Sequence, residues 1–347
     1  MSEKDLSQVQ PADEGLSLEQ IDPDGNVILL VEGRSTAQFL VSSKILSMAS
    51  PMFAKLFDSN FSEGIQVASS SCPTISLHED DTAAMRTILR ILHYQDPTQD
   101  NPITAEAFAV LAIQCNKYDC IRAICPWTFK WFSDLEAIKT AEEYCYLLLA
   151  AHFFRSEEQF RKISARAQVQ LSSSFCVKWE TLEIMDLLPD DMKNELVDRI
   201  ENLLNGIHAE LQAVEDLLRK SQKYYIMDGL VCPNCARTHP SEARKCHPCK
   251  NGDLITKYCN SDSRIAEYFA ILGKANLWPS VEPFQSCSAT EIALRISQSA
   301  QILRHSCQGL WCPLQSELNM LVRKVNGIIG SVKGLDLYPL HQTSPGV

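Results

Sequence analysis

Residues 26–58, NVILLVEGRSTAQFLVSSKILSMASPMFAKLFD, constrain the fold of this chain more than any other stretch. Two apolar runs, 27–31 and 37–41, flank Glu32-Gly33-Arg34-Ser35. That is the pattern of a β-hairpin, with Gly33 expected to supply the positive φ of a tight turn. The second run ends at Ser42-Ser43, where Ser42 can cap a short helix carrying Ile45, Leu46 and Ala49. Ser50-Pro51 opens a further helix, with serine as the cap and proline in the first turn, where its missing N–H costs nothing. Met52, Phe53, Leu56 and Phe57 then recur at the spacing of one apolar stripe.

The next hundred residues continue in kind. Residues 74–77 alternate polar with apolar side chains as a half-buried strand does. Asp80 or Asp81 caps a helix presenting Met85, Ile88, Leu89 and Leu92, and Thr104 caps another presenting Phe108, Leu111, Ala112 and Cys115. Six pieces stand in order: the hairpin, F-x-V-S-S-K-I-L from Phe39, S-P-M-F-x-x-L-F from Ser50, F-x-E-G from Phe61, I-x-L-H-E-D-D from Ile75, and Lys117-Tyr118. In order and spacing, residues 24–122 resemble a BTB/POZ domain, and the whole chain resembles a fungal-type BTB/POZ protein with a helical C-terminal extension. The resemblance implies an α+β domain, a small sheet covered by helices, that commonly forms a homodimer and often brings a client to a cullin-based ubiquitin ligase. In that family a hydrophobic-x-Glu element contacts the cullin, and Phe61 and Glu63 occupy that place. Many relatives carry Asp and His where this chain has Asn26 and Ser42, which weakens the expectation of a dimer more than that of the fold.

Composition limits the alternatives. With 347 residues the chain can build two or three units, and 45% hydrophobic with 22% charged residues describes an ordinary globular protein. A formal net charge of −11 disfavours a general polyanion binder, because duplex binding relies on phosphate neutralisation by clustered Lys and Arg. The first fifteen residues hold no apolar leader core, and no apolar run approaches the roughly 20 residues of a membrane span, so an intracellular protein without membrane contact is expected. Fourteen cysteines are only about 4% of the chain, below the density of a disulfide scaffold.

These readings divide the chain into a disordered lead-in at 1–22, a BTB/POZ domain at 23–135, a helical extension at 136–228, a zinc segment at 229–260 and a C-terminal helical region at 261–347. In the extension, Thr140-Ala-Glu-Glu143 and Ser156-Glu-Glu-Gln159 are capping boxes. From Asp190 or Asp191 a long helix carries Leu196, Ile200, Leu203, Ile207, Leu211, Val214 and Leu218 at steps of three and four. About three heptads interrupted by Gly206 favour a core-facing stripe over a free coiled coil. Ser288-Ala-Thr-Glu291 is a third capping box in the C-terminal region.

One segment has sharp chemistry. Cys232-Pro-Asn-Cys235 and Cys246-His-Pro-Cys249 are two C-x-x-C pairs ten residues apart, the donor set of a structural tetrahedral Zn²⁺ site, with His239, His247 and Cys259 as candidate substitutes for one thiol. A redox role is disfavoured, since such motifs open a helix in a βαβ setting and no strand runs are expected beside these pairs. Arg237, Arg244, Lys245 and Lys250 against Glu242 leave a local positive excess, the one encouragement for nucleic acid. Cys115, Cys120 and Cys125 read as core thiols, and His305, Cys307 and Cys312 read as core and surface residues rather than a second metal site. No G-x-S-x-G, phosphate-cradling loop or H-E-x-x-H is present. The sequence therefore points to a non-enzymatic interaction scaffold, a candidate cullin adaptor. The alternative is a nuclear transcriptional regulator whose zinc segment touches nucleic acid.

Overall fold

The computed structural model describes residues 17–97, 102–137, 140–278, 281–302, 307 and 312–337, and it resolves two compact units. The first consists of residues up to 137 together with 146–159; the second of 140–145 and 160–337. Its N-terminal unit holds strands β1 (Leu18–Gln20), β2 (Val27–Glu32), β3 (Thr36–Val41) and β4 (Thr74–His78), and helices α1 (Ser43–Ala49), α2 (Pro51–Leu56), α3 (Ser62–Ser69), α4 (Thr82–Leu92), α5 (Ala105–Lys117) and α6 (Ile121–Asp134).

β2 and β3 pair antiparallel and β4 joins β2 in parallel, giving the order β1-β3-β2-β4. Val27, Leu29 and Val31 on β2 and Phe39 and Val41 on β3 are fully buried, as a period of two requires when one face is covered. Met85, Ile88, Leu89 and Leu92 of α4 are buried with them; each such side chain withdrawn from water contributes about 2 kcal/mol. Ser42, Ser50, Asp81 and Thr104 each accept a backbone N–H at a helix start.

The structure corrects two details. Gly33 is not in the left-handed region; it lacks a side chain because the Asp80 carbonyl oxygen sits where its Cβ would be. Ordered chain also begins inside the expected lead-in, because β1 pairs in parallel with β3 and Ile21 is buried. Glu19 explains the anchorage, accepting from Arg86 Nε at 2.6 Å and Arg90 Nη2 at 2.9 Å. Residues 1–16 of that expected lead-in lie outside the described residues.

Helix α7 (Ala141–Phe153) begins among residues of the second unit and ends among those of the first, α8 (Glu157–Gln170) does the reverse, and α9 (Phe175–Trp179) and α10 (Asp190–Lys220) belong to the second unit. The chain then forms β5 (Tyr225–Val231), β6 (Thr238–His239) and β7 (Ile255–Cys259) before α11 (Ser261–Lys274), α12 (Pro283–Ser286), α13 (Ala289–Ile302) and α14 (Pro313–Gly330). The stripe from Leu196 to Leu218 is core: all seven residues are buried, and α10 packs against α14, whose Leu314, Leu318, Leu321 and Val325 are buried too. Gly206 does not interrupt α10. The capping boxes at Thr140 and Ser288 form as read, each hydroxyl accepting from the Glu amide and each Glu from the cap amide.

A further correction concerns the zinc segment. It lies beside strands, in a sheet of order β6-β5-β7 with both pairings antiparallel. Gly229 makes that possible: its φ is +98°, the register shifts between Ile226 and Leu230, and a Cβ there would sit 2.6 Å from the His239 carbonyl oxygen.

Candidate metal centre and docking surface

β5 ends at Val231, and Cys232 follows at once, so the sheet delivers the first C-x-x-C pair. The two pairs fold alike. Ala236 donates to the Cys232 carbonyl at 2.8 Å, as Lys250 does to the Cys246 carbonyl at 2.8 Å. The cysteine amides close the loops, Cys232 onto the Arg237 carbonyl and Cys246 onto that of Asn251. Each loop turns at a left-handed residue just after its second cysteine, Ala236 at φ 56° and Lys250 at φ 58°. Two copies of one knuckle thus face each other.

Their four thiols converge. All Sγ atoms of Cys232, Cys235, Cys246 and Cys249 lie within 4.8 Å of one another, with Cys232–Cys249 at 3.3 Å, Cys235–Cys246 at 3.4 Å and Cys235–Cys249 at 3.8 Å. A disulfide needs about 2.05 Å, whereas four sulfurs about 2.3 Å from one ion are roughly 3.8 Å apart. The spacing fits a shared ion. Burial opposes ionisation of Cys232, yet the amides of Cys235 and Asn234 and the Cys249 thiol bring its pKa down to about 6. At Cys246 the Cys249 amide favours the thiolate, but burial and three neighbouring thiols push the pKa up to about 12. Four thiolates this close need a cation between them, and Arg237, Arg244, Lys245 and Lys250 are exposed around the loops.

The candidate substitutes do not join this set. His239 pairs within the sheet, His247 is exposed, and Cys259 lies at the other end of the β5–β7 ladder, opposite Tyr225. Cys115 and Cys120 are buried in the first unit and Cys125 is exposed. His305 lies outside the described residues.

On the first unit the predicted contact residues occupy the start of α3. Phe61 is the N-cap residue and is 52% exposed, Ile65 is 55% exposed, and Glu63 stands between them in the first turn. Gly64 is buried and passes so close to the Asp58 carbonyl that a Cβ would overlap it, which fixes this turn against the end of α2. The Ser62 hydroxyl donates to Glu63 at 2.7 Å and, with the Glu63 amide, lowers the carboxyl pKa. The segment presents a carboxylate between two apolar side chains.

Lys117 and Tyr118, read only as a motif, prove to hold the unit together. The buried Asp80 accepts from Lys117 Nζ at 2.6 Å and from the Tyr118 hydroxyl at 2.5 Å, and the Tyr118 ring stacks on Phe53 at 4.6 Å. Among the described residues no helix is long and apolar enough to cross a membrane.

Comparison with curated proteins finds no match. Residues 23–126 match the family model for the BTB/POZ domain, a stretch that holds β2 to β4, α1 to α5 and the start of α6. The chain therefore carries an N-terminal BTB/POZ domain, in general a non-enzymatic protein-interaction module, followed by a mostly helical part with a cysteine cluster able to hold a metal ion.

Proposed function

We propose that this protein is an intracellular adaptor that docks a cullin scaffold through the start of α3 and meets its client through the C-terminal helical part, which a structural zinc ion at Cys232, Cys235, Cys246 and Cys249 stabilises. The observation that carries the reading is the exposed Phe61-Ser62-Glu63 turn, with Ile65 beside it, at the position where the family resemblance places the cullin contact. Apolar anchors flanking one carboxylate suit a protein partner, since buried anchors supply affinity and a charge supplies register.

Dimer formation is the less favoured part. Asn26 and Ser42 are already satisfied within the chain: Asn26 bridges the Ser43 amide and hydroxyl, and Ser42 caps α1 while donating its amide to His93 Nε2. Pull-down with a cullin scaffold tests the adaptor role. Wild type is expected to recover the scaffold and Glu63→Arg to reduce recovery at least about tenfold, one desolvated charge pair being worth 1.4 kcal/mol or more. Equal recovery of both, or of neither, rejects it.

The exposed cations around the knuckles favour the nucleic-acid reading second. It requires retardation of DNA or RNA at low salt that fades steeply as salt rises. No retardation removes it.

A further inference from the structure

A second set of thiols converges at the other end of the same ladder. β5 and β7 run antiparallel from Val231↔Ile255, beside the four-cysteine cluster, to Tyr225↔Cys259. Seven strand residues at about 3.3 Å each put these ends roughly 20 Å apart. At the far end Cys259 Sγ lies 3.9 Å from Cys312 Sγ, and those two with Cys307 Sγ all fall within 4.8 Å of one another. The three arrive from separate places: Cys259 closes β7, Cys312 is the N-cap of α14, and Cys307 is held against β5 by a bridge to Met227.

We propose that Cys259, Cys307 and Cys312 bind a second thiophilic divalent ion of the zinc class, distinct from the ion of the two C-x-x-C pairs. The Cys259–Cys312 separation of 3.9 Å matches that of two sulfurs on one ion with bonds of about 2.3 Å, and Cys307 lies near enough to share it. Arg264 supplies an independent argument. Its side chain is fully buried with the guanidinium 5.7 Å from the centre of the Tyr225 ring; among the described residues Nε has no hydrogen-bond partner, and the amino groups donate to the carbonyls of Ser221, Lys223 and Cys259 and, at 3.9 Å, to Cys259 Sγ. No described carboxylate pairs with it. Backbone carbonyls and the Tyr225 ring hold the guanidinium, and a nearby negative charge stabilises it further. Three thiolates with one dication carry a single negative charge, which Arg264 neutralises. Cys259 and Cys312 are buried and Cys307 is half-buried, so the set is most open at Cys307. Bound there, the ion ties the sheet to the starts of α11 and α14.

Metal content of the full-length chain, purified reduced and with zinc, tests the assignment by native mass spectrometry and elemental analysis. Two equivalents are expected. Cys259→Ser with Cys312→Ser should retain one, and Cys232→Ser with Cys249→Ser should retain the other. Should the buried pair fail to fold without its thiols, the half-buried Cys307→Ser serves instead, and the second equivalent should then pass to a chelator at least ten times faster. Cobalt-loaded protein gives a separate reading, with thiolate-to-metal absorbance for seven sulfurs in wild type and four once the second set is removed. No equivalent in wild type, a single equivalent that the Cys232/Cys249 changes remove, two equivalents undisturbed by the Cys259/Cys312 and Cys307 changes, or a Cys259–Cys312 disulfide in reduced, zinc-loaded protein overturns the proposal. Loss of the C-x-x-C ion alone sinks the first centre and leaves this one standing.

Discussion

Asp80 illustrates how one side chain joins distant parts of the N-terminal domain. Its carboxylate holds Lys117 and Tyr118, Tyr118 stacks on Phe53, and the Ser50 hydroxyl that caps α2 also donates to the Tyr118 carbonyl. Asp80→Ala leaves a cation and a buried phenol without their acceptor and should cost about 3 kcal/mol in denaturant unfolding, Lys117 being partly exposed and able to recover water. A loss below about 1 kcal/mol contradicts this role. The cysteines make the other residue-scale prediction. Cys232→Ser with Cys246→Ser should lose one zinc equivalent and lower thermal stability. With Cys246 at about 12 in the absence of a cation, ion binding must displace a proton there. Affinity therefore rises with pH and falls on acidification, about tenfold per pH unit for each proton displaced. Zinc competition titrations at pH 6 and pH 8 read the slope, and equal affinity at both excludes thiolate ligation.

At the scale of elements, the β5–β7 sheet depends on a backbone position more than on side-chain pattern. Gly229 sits at φ +98° with the His239 carbonyl where a Cβ would go. Gly229→Ala should cost about 2 kcal/mol and weaken retention of the C-x-x-C ion, because β5 delivers Cys232. Unchanged zinc retention and stability would show that the sheet does not position the site. The hairpin, the serine-capped helices and α10 were readable because their signals are local: period-two burial, caps three residues from their donors, and a stripe at three-four spacing. β1 was not. Leu18–Gln20 gains its order from a parallel neighbour twenty residues on and from Arg86 and Arg90 nearly seventy on, so composition alone made it a lead-in. β5 was missed for a related reason, since a bulge at Gly229 breaks the alternation by which a strand is recognised.

Across the whole molecule, the proposed cullin contact and the thiol clusters fall in different units. The Phe61–Glu63 segment belongs to the BTB/POZ domain and both thiol sets belong to the second unit. Chelation should therefore lower the melting transition of the C-terminal unit and leave that of the BTB/POZ domain in place; calorimetry with and without EDTA separates the two. A loss of the domain's own transition on chelation contradicts the division.

By itself the sequence determined the BTB/POZ fold, the caps of α1, α2, α4 and α5 and the two C-x-x-C pairs, since each is written in residues a few positions apart. The spacing also read Cys232, Cys235, Cys246 and Cys249 as one set, and their thiols do converge; only the tertiary structure decided that Cys259 stands apart from them, beside Cys307 and Cys312. Which thiols meet Cys259 depends on strand register and on helix packing across some fifty residues, and no local spacing encodes that.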